Sequence, residues 1–362
     1  MEKPKYKVPT MKEINELEWN GCNVVSTFSG GGGSCLGYRM AGYHVVYANE
    51  FVEEAQKTYR ANNPNCFLDT RDIRTVTPES ILEKINMNVG ELDLFDGSPP
   101  CSAFSTAGQR EKGWGSQKNY SDGKVQRVDD LFFEYTRLLK GLQPKVFIAE
   151  NVSGLIKGKA KGYFNNIIKE LRSCGYEVKA SLLSAMWLGV PQNRQRVIFM
   201  GVRKDLGMQP VYPKPFDYYY TLADAFEGVK NDKKQVEYLK EMAQKYAWGE
   251  VLKKLTRNPK KATQGSKVMN GSYFNLVRES MYQPCSTICQ MNGSEPASGN
   301  CHPLEDRKLT IPELKRITSI PDDFILTGDY RQQWERLGRM VPPVMMKNIS
   351  KTVYEEVLCK IK

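Results

Sequence analysis

The sequence predicts an α/β protein, a doubly wound and mostly parallel sheet with a smaller lobe attached. Three observations carry that expectation. Strand-like runs rich in branched and aromatic residues alternate with helical stretches across residues 22–202, as in a sheet built from βαβ units. Several of these runs end in glycine, proline or acidic residues, and open α/β sheets bind ligands in the loops beyond their carboxyl edge. The alternation is lost after residue 204, where prolines, a tyrosine cluster and lysine-rich helical sequence take over.

The elements follow in order. Residues 1–20 are a polar lead-in with a short helical stretch. Asn23 to Phe28 reads as the first strand and runs into Ser29 and the consecutive glycines Gly30 to Gly33. Cys35, Leu36, Tyr38 and Met40 have helical spacing. Tyr43 to Ala48 is a strand ending at Asn49 and Glu50, and a helix follows over residues 52–61. A short strand at residues 66–68 leads into Asp69, Asp72 and Ile73. Leu92, Leu94 and Phe95 form a buried strand stopped by Gly97, after which Pro99 and Pro100 stiffen the chain before Cys101. Residues 105–128 are polar and basic, and a loop of that length in a compact domain is usually functional. Helix 129–141, a strand ending at Glu150, helix 161–173 and strands at 176–183 and 197–200 complete the alternation. The expected division is a first domain over 1–204, a lobe over 205–281, and a return segment over 282–362 whose last helix packs back on the first domain.

Composition narrows the class. A chain of 362 residues, 40% hydrophobic, supports a sizeable core. No run reaches the ~18 apolar residues of a membrane span, and the lysine-rich start carries no apolar signal segment. Nine scattered cysteines fit reduced thiols in a cytoplasmic or nuclear setting, and a cytoplasmic protein is expected. The net charge of +11 suits a polyanion such as nucleic acid, with a plain solvated basic surface as the other reading. Two histidines cannot staff a mechanism built on several. Cys285, Cys289, Cys301 and His302 lack the usual ligand spacing of zinc, and no metal is expected.

Strand, glycines, then helix is an arrangement for a nucleotide-like ligand, because glycine lets the ligand approach the backbone. Glu50, at the end of the next strand, suits ribose hydroxyls, and Asp72 suits an adenine amino group. No Gly-Lys-Ser/Thr follows the glycines, so either a dinucleotide or an adenosyl cofactor without phosphates fits. Cys101, alone at a strand end behind two prolines, is a candidate nucleophile.

In combination these residues resemble the DNA (cytosine-5) methyltransferases, over about residues 22–204 and 282–358. Phe28-Ser29-Gly30-Gly31-Gly32-Gly33 is similar to the family's cofactor loop, and Pro99-Pro100-Cys101-Ser102 to its nucleophile motif. Glu150-Asn151-Val152 resembles the acid motif and Gln192-Asn193-Arg194-Gln195-Arg196 the arginine motif. Arg307-Lys308-Leu309-Thr310 with Glu313 resembles a structural helix motif, and Gly338-Arg339-Met340-Val341-Pro342-Pro343 the last motif. The chain departs from the pattern at Ser26, where an aspartate is common, and at Arg339, where an asparagine is usual.

The resemblance implies a Rossmann-like methyltransferase fold, S-adenosylmethionine as cofactor and duplex DNA as substrate. It implies cofactor contacts from Phe28, Ser29, Gly30, Gly32, Gly33, Glu50, Phe51, Asp72, Ile73, Pro100 and Met340. Cys101 would add to cytosine C6, Glu150 would protonate N3, and Arg196 with Arg194 in support would hold O2. Lobe 205–281 would be the target-recognition region, and loop 105–128 would close over the DNA. A monomer of bacterial or phage origin, with a restriction endonuclease acting on the same site, completes the expectation. The same chemistry on RNA and an inert DNA-binding regulator are the alternatives.

Overall fold

The computed structural model describes residues 3–100, 117–119, 125–127, 131–156, 160–270, 273–290 and 299–361. These residues form two compact units. One comprises 12–183, 195–214 and 345–362, and the other 1–11, 184–194 and 215–344.

The first unit is built on a seven-stranded sheet. Its strands are β1 (Asn23–Thr27), β2 (His44–Asn49), β3 (Phe67–Asp69), β4 (Leu94–Gly97), β5 (Val146–Val152), β6 (Tyr176–Ser184) and β7 (Gln195–Arg203). Their order across the sheet is β3-β2-β1-β4-β5-β7-β6. The β3–β2, β2–β1, β1–β4 and β4–β5 pairs are parallel, and β7 runs antiparallel to β5. The expected doubly wound, mostly parallel sheet is therefore present. Its order changes direction between β1 and β4, the place where ligands bind in open α/β sheets.

The helices of this unit are α1 (Gly33–Met40), α2 (Glu53–Asn62), α3 (Pro78–Ile85), α4 (Leu131–Leu142) and α5 (Ala160–Ser173). Helix α4 forms because Leu131, Tyr135, Leu138, Leu139 and Leu142 recur at helical spacing, and all five are fully buried. That face packs on Phe95, Phe147 and Phe199 of the sheet, with the Tyr135 and Phe95 rings stacked 4.7 Å apart. Burial of each such ring is worth about 1.5–3 kcal/mol. The stack leaves no room at Gly97, where a Cβ would lie 2.5 Å from the Tyr135 ring and 2.9 Å from Thr27 Oγ1. Gly97→Ala is expected to cost about 1–3 kcal/mol by overpacking, read as a lower midpoint in urea at unchanged slope.

Helix Pro343–Glu356 contributes buried Met346, Ile349 and Val353, and Tyr43 donates its hydroxyl to the Ser350 carbonyl at 2.8 Å.

The second unit holds a small sheet. Its strand Thr263–Gln264 pairs antiparallel with Leu276–Arg278, which pairs parallel with Gly299–Cys301. Helices Lys233–Lys245 and Ala247–Lys254 cover it through Ala243, Trp248, Val251 and Leu252. Arg307 and Glu313, both nearly solvent-free, form a bidentate pair at 2.8 and 2.9 Å. Thr310 and Glu313 make the capping box that starts helix Ile311–Ile317. The unit boundaries differ from the three-part division read from sequence, since 282–344 groups with 215–281. The physical reason is pairing distant in sequence: Gln192–Asn193 pairs with Cys285–Ser286, and Leu276–Arg278 with Gly299–Cys301. Hydrophobic periodicity does not register such pairings. Among the described residues no helix is long and apolar enough to cross a membrane.

Candidate active site

Two loops leave the sheet at one level. Thr27 of β1 is aligned with Gly97 of β4, and Gly97 with Ala149 of β5. Phe28 and Ser98 therefore open their loops side by side, and Glu150 stands next to them on β5, which continues to Val152. The parallel register brings the glycine loop, the proline loop and the acid motif side by side, although they are far apart in sequence. Asn151 adds a tie, donating its Nδ2 hydrogen to the Pro99 carbonyl at 3.2 Å. Sequence reading assigned Asn151 no separate role. Cys101 itself lies outside the described residues, as does loop 105–128 apart from the antiparallel pairing of 117–119 with 125–127.

The glycine loop turns sharply. Phe28, Gly30 and Gly32 all have positive φ, of 55°, 56° and 92°. For Phe28 this left-handed conformation costs roughly 1–2 kcal/mol. Neighbouring hydrogen bonds hold it: Ser29 N–H donates to the Asn49 carbonyl at 3.1 Å, and Ser29 Oγ–H to the Ser26 carbonyl at 3.1 Å. A Cβ built at Gly30 would meet no atom within 4 Å, so the loop borders open space on that side. Gly33 begins α1 and is buried.

Glu50 sits one residue beyond β2 and is 7% exposed. Its Oε2 accepts from Gly30 N–H and its Oε1 from Val52 N–H, both at 2.7 Å. Each carboxylate oxygen can accept more than one hydrogen bond, as a ribose diol requires. Phe51 follows it, half-buried. Asp72 caps the short helix Ile73–Thr75 by accepting from Arg74 N–H at 3.0 Å, and Ile73 is buried beside it. Glycine loop, Glu50 and Asp72 follow β1, β2 and β3, three adjacent strands. The donor set suits a cofactor carrying a ribose and an adenine: a carboxylate for vicinal hydroxyls, an acidic cap, and a glycine turn open to close approach.

On β5, Glu150 is 9% exposed and pairs with Arg196 of β7, Oε1 to Nε at 2.6 Å. The antiparallel register places Arg196 opposite Val152 and Ile198 opposite Glu150, a diagonal that long side chains span. Arg194 belongs to the second unit, 2% exposed, where its guanidinium donates to the Ile288 carbonyl at 2.9 Å and the Gly338 carbonyl at 3.0 Å. Met340 also belongs to that unit, directly after helix Tyr330–Arg339, and Arg339 pairs with Glu335 at 2.6 Å. The spacing of Arg194 and Arg196 gave no sign that the chain passes from one unit to the other between them. His302 is buried with its Nδ1 accepting from Leu304 and Glu305 N–H, and burial lowers its pKa to about 4.

With this geometry in hand, comparison with known proteins defines the class. A model of the C-5 cytosine-specific DNA methylase family matches residues 22–355, and the chain belongs to that family. Type II methyltransferase M1.HphI of Haemophilus parahaemolyticus is 31% identical over 343 residues, 91% of this chain and 86% of the relative. Type II methyltransferase M.PspPI of a Psychrobacter species is 30% identical over 347 residues, 91% of this chain and 78% of the relative. Among solved structures, one described as a DNA modification methyltransferase encoded within an Escherichia coli prophage superposes with TM-score 0.69 at 23% identity, covering 93% of this chain and 99% of that one. The fold is thus the Rossmann-like fold of these enzymes, and the chain is a DNA (cytosine-5) methyltransferase.

Proposed function

We propose that the chain transfers a methyl group from S-adenosylmethionine to C5 of a cytosine swung out of duplex DNA, through a covalent bond between Cys101 Sγ and C6. The observation that supports this reading is the parallel register that aligns Thr27, Gly97 and Ala149, beside which stand the cofactor loop, the segment leading to Cys101, and Glu150 of β5. When bound, S-adenosylmethionine supplies an electrophilic methyl group. Gly30 and Gly32 hold the loop against it, Glu50 takes the ribose hydroxyls, and Asp72 with Ile73 takes the adenine. Phe28, Ser29, Gly33, Phe51 and Pro100 complete the contacts.

Cytosine C5 is a poor nucleophile until C6 is saturated. Cys101 thiolate adds to C6, and the ring electrons move towards C5 and N3. Glu150 donates a proton at N3, which offsets the negative charge developing on the ring. Arg196, held by Glu150, donates to the cytosine O2. Arg194 supports it by bracing the segment Gln192–Arg196 rather than by touching the base. After transfer the C5 proton leaves to water, the Cys101–C6 bond breaks to restore the thiolate, and the N3 proton returns to Glu150. Swinging the base out costs a few kcal/mol, offset by these contacts. Lysines of the lobe 205–281 neutralise phosphates while the rest of the lobe reads the site. The chain acts as a monomer in a bacterial cytoplasm, beside an endonuclease that cuts the same sequence when unmethylated.

The test is incubation with S-adenosylmethionine and a duplex library, reading 5-methylcytosine by sequence context. Methylation at one fixed context in duplex DNA is expected. Methylation of folded RNA alone, or of neither nucleic acid despite cofactor binding, contradicts the reading.

A further inference from the structure

We propose that Asp96 is a positioning residue that locks the cofactor loop to the strand carrying the nucleophile; this deepens the methyltransferase reading above and rests on it. Asp96 lies on β4, is 1% exposed, and has no part in the chemistry described. Its Oδ2 accepts from Ser26 Oγ at 2.7 Å and its Oδ1 from Tyr38 hydroxyl at 2.8 Å. Ser26 is its partner across the β1–β4 ladder and stands just before the glycine loop. Tyr38 is on α1, just after that loop. One carboxylate therefore grips the chain on both sides of residues 28–32. The grip extends inward, because Ser29 Oγ lies 3.3 Å from Ser26 Oγ within hydrogen-bond reach.

The loop has reason to need such a grip. Phe28 carries a side chain at positive φ, a conformation that persists only where surroundings fix it. In the other direction, β4 runs directly into Ser98, Pro99, Pro100 and Cys101. Asp96 is thus the shared anchor of the loop that would hold the methyl donor and the loop that carries the attacking thiol. Burial lifts its carboxyl to about 7, with the charge of Glu150 adding to the rise. A carboxyl this unfavourable to bury, with both oxygens engaged by hydroxyls, specifies a geometry.

Three variants test the proposal beside the wild-type chain: Asp96→Asn, Asp96→Ser, and Ser26→Asp combined with Asp96→Ser, which moves the carboxyl to the other strand of the same ladder rung. Each is measured for calorimetric S-adenosylmethionine affinity, for kcat at saturating cofactor and DNA, and for melting temperature. Asp96→Asn and Asp96→Ser are expected to weaken cofactor binding about tenfold and to lower kcat at saturation. The double variant is expected to regain affinity and kcat towards the wild-type values. Unchanged affinity and kcat in Asp96→Asn overturn the proposal, whatever the other variants do. So does a double variant that regains its melting temperature without its affinity, since that is the signature of a packing role. A wild-type chain that binds no S-adenosylmethionine overturns the methyltransferase reading itself, a result distinct from both.

Discussion

Cys101→Ala is expected to abolish methyl transfer, a fall in kcat on the order of 10⁴-fold or more, with S-adenosylmethionine affinity close to wild type. Without the thiolate, C6 stays unsaturated and C5 gains no nucleophilic character, so no other group takes over the step. Affinity survives because the cofactor side of the site is built elsewhere. The left-handed loop at Phe28, Gly30 and Gly32 and the Glu50 carboxylate bonded to Gly30 and Val52 owe nothing to the thiol. Single-turnover transfer and calorimetry on one preparation separate the two effects.

The second large effect is at Glu150. Glu150→Gln is expected to lower kcat by about 10²–10⁴-fold, the usual weight of a positioned general acid. Glutamine keeps the shape and an oxygen for Arg196, which Glu150 meets at 2.6 Å, but has no proton to transfer to N3. Glu150→Asp is the informative companion. It keeps the charge facing Arg196 and withdraws the carboxyl by one methylene, so a role in proton donation predicts a large loss there too. A role limited to the ion pair predicts near-normal turnover in Glu150→Asp, which keeps the charge, whenever the protein remains folded, which circular dichroism monitors.

Much of this arrangement was legible in the chain. Strand ends carry their own signatures, so Glu50 after β2, Asp72 after β3 and Gly97 before the prolines could each be placed from local sequence. The helix Leu131–Leu142 was legible because its apolar positions repeat at helical spacing against a sheet. Contacts made across the sheet were not. Asp96 reads as one polar interruption in an apolar strand, and only the parallel register that sets it beside Ser26 reveals an anchor. Asn151 reads as the middle of a motif, and its bond to Pro99 depends on β4 and β5 being neighbours. Arg194 and Arg196 read as a pair, yet Gln192–Asn193 is drawn into pairing with Cys285–Ser286 while Arg196 stays on the main sheet. Gly338 likewise hides its reason: a Cβ there would stand 2.7 Å from the Cys289 backbone, nearly fifty positions away along the chain. Local pattern reports what a residue prefers, whereas these roles depend on which distant segment arrives beside it.

The central claim is the covalent step, and duplex DNA carrying 5-fluorocytosine tests it most directly. Fluorine at C5 does not leave as a proton does, so after methyl transfer the Cys101–C6 bond has no route to break. With S-adenosylmethionine present, the wild-type chain is predicted to accumulate an adduct that survives denaturation, with the label mapped to the peptide containing Cys101, and Cys101→Ala to form none. An adduct of equal yield in Cys101→Ala, or none in a wild-type chain that binds both cofactor and DNA, would contradict the account.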